Sequence, residues 1–142
     1  MANSLFDSSR EGFLAGEIDW DTAVIKIALV RAYTFSAAHK FVSDVTTAGG
    51  VLHVTSAALA SKTVTAGVAD AADVTFTAVA SNASNHSVLV FQSSAVGGGA
   101  DVAATAQRLI AWIDTGTNFP IVPNGGDVTI AWDAGANRIF KL

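Results

Sequence analysis

The chain is 142 residues long, a single-domain length, with 51% hydrophobic residues, only 14% charged residues and a formal net charge of -4, where an average soluble domain has a charged share of about 25%. Basic residues such as Arg10, Lys26, Arg31, Lys62, Arg108 and Arg138 are scattered singly, which argues against nucleic acid as a partner because a phosphate backbone requires clustered cations. Cysteine is absent, so disulfides, thiolate metal sites and a cysteine nucleophile are excluded.

A chain of this size buries roughly two thirds of its unfolded surface, enough for one core. Ala, Thr, Ser and Gly stand where charges usually would. A surface short of long charged side chains is easily desolvated by another protein, which fits an assembly component as well as an ordinary neutral domain. No basic segment followed by an apolar run opens the sequence, and no apolar stretch approaches about 18 residues. The expectation is a protein made in a cytoplasm, with no membrane partner.

In chain order, Asn3 to Ala15 reads as the one helix. Ser8 and Glu11 fit a capping box, Leu5, Phe6, Phe13 and Leu14 recur at roughly helical spacing, and Gly16 stands where a C-terminal stop belongs. Gly12 inside it costs about 1 kcal/mol relative to Ala, so this helix must take its order from packing. Residues 1–16 are therefore expected to form a helical arm lying on the sheet or on a neighbouring subunit. Glu17, Asp19 and Asp21 alternate as on a charge-guarded strand edge; a calcium site would draw about six oxygens or more, and no cation-binding loop is present. Thr22 to Arg31 reads as a mostly buried strand, with Ile25, Ile27 and Leu29 opposing Val24, Lys26, Ala28 and Val30.

Tyr33 to Val45 predicts a loop with a short helical turn around Ala37 to His39, and Val51 to Ala60 alternates weakly. Lys62 to Val68 reads as a strand with Val64, Ala66 and Val68 on one face, Asp70 to Ala72 as a turn, and Asp73 to Val79 as a strand with Val74, Phe76 and Ala78 inward. Those two strands are expected to pair antiparallel. Ser81 to Asn85 is a loop by composition, and Ser87 to Gln92 a continuous apolar core strand. Ser93 to Ala106, with Gly97, Gly98 and Gly99 at its centre, reads as a flexible loop or one ordered by a partner. No Lys-Ser or Lys-Thr follows its glycines, so it is not a phosphate-binding loop.

Arg108 to Phe140 holds the two strongest strand signals. Arg108 to Asp114 is apolar on both faces and predicts an interior strand. Asp127 to Asp133 alternates, placing Val128, Ile130 and Trp132 on one side of a pleat, so Trp132 is expected between sheets. Pro120, Pro123, Asn124, Gly125 and Gly126 break the chain between them. Ala134 to Asn137 turns once more before a last short strand, Arg138 to Leu142. The pattern predicts a single mainly-β domain over 1–142, an antiparallel β-sandwich or jelly-roll-like pair of sheets with one short N-terminal helix.

Reactive constellations are sparse. No two of His39, His53 and His86 stand at the i, i+4 spacing of a helical metal pair, no Gly-x-Ser-x-Gly elbow marks a hydrolase, and paired acids among 12 carboxylates discriminate nothing. Trp20, Trp112 and Trp132 offer a sugar-stacking platform or, in strand patterns, ordinary core burial. No catalytic, metal or cofactor-binding residue is assigned, and the expectation is a non-enzymatic protein with no cofactor. The candidate interface residues are Leu5, Phe6, Phe13 and Leu14 of the arm and Gly97, Gly98 and Gly99 of the glycine loop.

Four blocks, Arg10 to Val30 with its IDWDT run, Lys62 to Val79, Arg108 to Thr117, and Pro123 to Gly135 with its NGGDVTI run, together resemble a widespread family of small structural proteins of tailed bacteriophages and prophages. The resemblance implies a virion component synthesised in the bacterial host cytoplasm. Within that family the chain looks most like a capsid decoration or cement protein at the capsid surface. Its implied partners are the major capsid protein and copies of itself. A neck, tail or fibre-associated virion component is the alternative within the same class, and a carbohydrate-binding module the alternative from another.

Overall fold

The computed structural model describes residues 3–142. Its elements are β1 (Ser4–Leu5), α1 (Asp7–Ala15), β2 (Ile25–Arg31), α2 (Val42–Thr47), β3 (Val51–Thr55), β4 (Thr63–Thr65), β5 (Val68–Asp70), β6 (Val74–Phe76), β7 (Ser87–Gln92), β8 (Ser94–Ala95), β9 (Gly98–Asp101), β10 (Arg108–Ile113), β11 (Val128–Ile130) and β12 (Phe140–Lys141). Strands β2, β7 and β10 carry the longest apolar runs, and they form the interior of an antiparallel sheet ordered β1-β10-β7-β2-β3. A strand that is apolar on both sides needs cover on both sides, and the remaining elements supply it.

On one face Ile25, Ile27, Leu29, Val88, Val90 and Ile110 meet Ala69, Phe76, Ile130 and Phe140 from two small strand groups. On the other, Ala28, Val30, Leu89, Phe91, Leu109 and Trp112 meet Phe6 together with Val42 and Val45 of α2. A bulge between Leu109 and Ala111 lets Ile110 and Ala111 both serve the first face. The small groups are the pair β11-β6, the sheet β12-β5-β4 and the hairpin β8-β9. The architecture is mainly β with several antiparallel sheets and a short N-terminal helix, in agreement with the sequence pattern and with a sandwich. A second helix, α2, follows the predicted helical turn; the Asp44 carboxylate at its start accepts the Lys40 and Phe41 N–H groups at 2.8 and 2.9 Å.

The arm differs from expectation, and its residues 1 and 2 lie outside the described residues. Ser4 and Leu5 are not helical but pair with Trp112 and Ala111 as an added strand. The helix starts after Phe6, with no side-chain cap: the Ser8 hydroxyl donates instead to the His39 carbonyl at 2.7 Å, so the predicted capping box does not form. Gly16 does end the helix, in the left-handed conformation at φ 71°. Gly12 is needed for close approach, since a Cβ there would lie 2.6 Å from Arg108 Nη2 and 2.7 Å from Ile18 Cδ1.

Further along, Lys62 to Val68 is not one strand. Ala66 and Gly67, at φ 52° and 77°, make a two-residue hairpin turn that pairs β4 with β5, while β6 pairs with β11 instead, Val128 opposite Phe76. The glycine loop is likewise a hairpin: Gly98 and Gly99 at φ 85° and 97° permit the β8-β9 turn, and Lys26 and Asp101 pin it to β2 at 2.5 Å.

Trp132 is not sandwiched between sheets. It lies half-buried beyond the end of β11, its backbone N–H donating to Asp73 Oδ1 at 2.9 Å and its indole N–H to the Ala72 carbonyl at 3.1 Å. Its partner strand β6 starts only at Val74, so the ladder ends before Trp132.

These placements separate core from surface within the arm. Phe6 is 0% exposed and Leu14 90%. Phe6→Ala is expected to cost about 3 to 5 kcal/mol and Leu14→Ala less than about 0.5 kcal/mol, measured as shifts in urea midpoint at constant slope.

Candidate docking groove

The row Val64, Ala69 and Phe140 runs across the small sheet, each residue opposite the next in register. Cross-strand neighbours share a face, and this face is covered by the core at Ala69 and Phe140 but open at Val64, which is 57% exposed. Phe140 is braced by Trp20 edge-on, with centroids 5.2 Å apart at 89°, and by Phe13 at 5.8 Å. The Trp20 indole N–H donates to the Asp70 carbonyl at 3.2 Å, fixing the ring at the margin of the sheet.

Between this row, the 16–21 loop and Val96 on the turn of the β8-β9 hairpin lies a groove of about 310 Å³. Val64, Val96 at 42% and Leu142 at 58% are three of the six exposed large apolar side chains among the described residues, and all three line it. Asp19 and Asp21 are its only charged lining residues.

The acidic cluster is a loop rather than a strand edge. The Asp19 carboxylate accepts the Asp21 and Thr22 N–H groups at 2.9 and 3.0 Å, and the Thr22 bond leads the causes that hold its pKa below the usual carboxylate range. Glu17 pairs with Arg108 at 2.7 Å, and Asp21 stands exposed at the mouth. Lys62 is turned inward, its ammonium donating to the Ala23 carbonyl, and burial lowers its pKa. Apolar walls with carboxylates at the rim can take up apolar side chains and a cation.

Of the interface candidates, the fold brings Phe13 and the glycine hairpin to one place. Phe13 lines the groove, and the hairpin carrying Gly97, Gly98 and Gly99 presents Val96 to it. Leu14 follows Phe13 and is open to solvent, whereas Leu5 is half-buried in β1. Phe6 is a correction: it is enclosed in the core on the far side of the main sheet, 5.0 Å from the Phe35 ring, and its side chain is not available to a partner. Val64, Val96 and Leu142 were not singled out in the sequence because a lone valine in an alternating run carries no mark of which face stays uncovered.

Trp20 and Trp112 are buried, which removes them from any sugar platform. Trp132 lines a separate cleft of about 440 Å³ with Phe119, Asp133 and Arg138, where Arg138 is already paired with Asp70 at 2.5 Å. Among the described residues no group of three or more His, Asp or Glu gathers as a metal cluster. His39 bonds the Tyr33 hydroxyl at 2.7 Å. The His53 and His86 rings do meet, centroids 4.9 Å apart at 88°.

His86 is fully buried, with Nδ1 2.7 Å from the Ser84 carbonyl and Nε2 without a partner. Desolvation, with His53 and Arg31 nearby, pushes its pKa below the ordinary value. A depressed histidine pKa means that the unfolded chain binds the proton first, so stability is full above about pH 6.5 and declines as pH falls toward the folded value. The urea midpoint is expected to drop between pH 7.5 and pH 5.5, and His86→Gln is expected to flatten that slope when both are measured over the same range.

Comparison of the chain with protein-family models, with curated proteins and with solved structures finds no match in any of the three.

Proposed function

We propose that this chain is a non-enzymatic structural protein of a tailed-bacteriophage virion, a decoration protein that binds the outer face of the major capsid lattice. The observation that carries the reading is the groove, where Val64, Val96 and Leu142 stay exposed over Trp20 and Phe140. Apolar side chains gathered at one place on a low-charge surface are the usual mark of a protein contact. Two of the blocks that carry the sequence resemblance also build this place: Arg10 to Val30 supplies Phe13, Ile18 and Trp20, and Lys62 to Val79 supplies Val64, Gly67 and Ala69. The action is mechanical. One shallow groove binds weakly, but many copies, each touching the lattice and its neighbours, add their contacts by avidity.

The test is the position and occupancy of the protein in purified particles, read from density and from quantitative protein content. Wild-type protein is expected on the capsid surface, and Val64→Lys is expected to lower occupancy several-fold with an unchanged unfolding midpoint, because the side chain is exposed in the free protein. Absence from particles overturns the reading, and density confined to the neck, tail or fibres assigns the chain there instead.

A further inference from the structure

We infer that the occupant of the groove is an extended segment of a different protein, apolar at alternate positions and carrying a lysine or arginine, which lies alongside β4 as a fourth strand. The inference rests on the reading of the groove as a docking surface and adds the chemistry of what docks.

The first observation is the edge. In the sheet ordered β12-β5-β4, β4 is an outer strand, and no other described strand pairs with it. Thr63, Val64 and Thr65 are all exposed. Thr65 and Val68 close the two-residue turn, so by the alternation of an antiparallel ladder Val64 holds the position whose N–H and C=O point away from β5. Natural edges are guarded by lysines or prolines. Here the adjacent Lys62 is turned inward to the Ala23 carbonyl, and the edge itself is Thr-Val-Thr, which suits an added strand. Alternate side chains of that strand would extend the Val64, Ala69 and Phe140 row.

The second observation is charge. Both charged residues of the lining are carboxylates, and Asp21 is exposed at the mouth; the nearby Lys62, which acts electrostatically on both, has its ammonium turned to the Ala23 carbonyl and does not line the groove. A second copy of this chain, with net charge -4, would bring the same carboxylates face to face if two β4 edges paired about a two-fold axis. A segment bearing a cation is attracted instead, and the carboxylate sets its register.

The experiment uses the full chain labelled for amide and indole NMR, titrated with a short synthetic peptide of alternating valine and threonine ending in lysine, and with its glutamate counterpart. The lysine peptide is expected to shift the Thr63, Val64, Thr65 and Val96 amides and the Trp20 indole. It should bind up to about fivefold more tightly than the glutamate peptide at low salt, and Asp21→Asn should erase the difference.

The inference is overturned if the lysine peptide does not bind, if the two peptides bind equally, or if the shifts lie elsewhere. It is also overturned if sedimentation shows a dimer whose protected amides are those of β4, since the occupant is then a second copy. Particle occupancy is scored separately. Protein found on capsids together with a failed peptide titration removes this occupant and leaves the virion reading standing, whereas a successful titration with protein absent from particles does the reverse.

Discussion

The requirement that the main sheet be covered on both faces governs the rest of the structure. Its three interior strands are buried along nearly their whole length, and exposing either face would return several large aliphatic side chains to water, each worth about 1.5 to 3 kcal/mol. Phe6 and α2 close one face, while Phe13 and strands far apart in sequence close the other. Phe6 is therefore a core residue, and the segment that carries it belongs to the domain.

Arg108 ties that segment to the sheet. It is buried at the start of β10, donates to the Ser8 carbonyl at 2.8 Å and pairs with Glu17 at 2.7 Å. It thus adds a bond to a carbonyl in the first turn of α1 and meets a carboxylate just beyond its last turn, across the gap that Gly12 leaves open. Arg108 is buried while Glu17 is exposed, so removing its partners would strand a buried guanidinium, and α1 is held in one register. That register puts Phe13 against Phe140 and leads the chain into the loop that carries Trp20. The wall of the groove is a consequence of how the helix is held.

The groove arises where that covering stops. The small sheet covers the main core and continues past it, leaving Val64 open on a face that is buried from the next strand onward. Trp20 and Phe140 give it a rigid floor, and the glycine hairpin, pinned by Lys26 and Asp101, holds Val96 at its rim. A preformed apolar surface loses little conformational freedom on docking.

The sequence by itself determined the β class, the interior strands and their punctuation. Ser87 to Gln92 and Arg108 to Ile113 are apolar throughout, a pattern that only a strand covered on both faces satisfies in so short a length, and Gly16 marked the helix end because only a left-handed residue closes it there. Partner choice was decided in three dimensions. Nothing local says that β6 pairs with β11 and not with β4, because the ladder is made by backbone groups common to every residue and register is chosen by which faces become buried. The same holds for the site. Phe6 and Phe13 are alike in sequence, yet one is enclosed and the other lines a groove. Val64 is one valine among many until a sheet extends beyond the core that covers it.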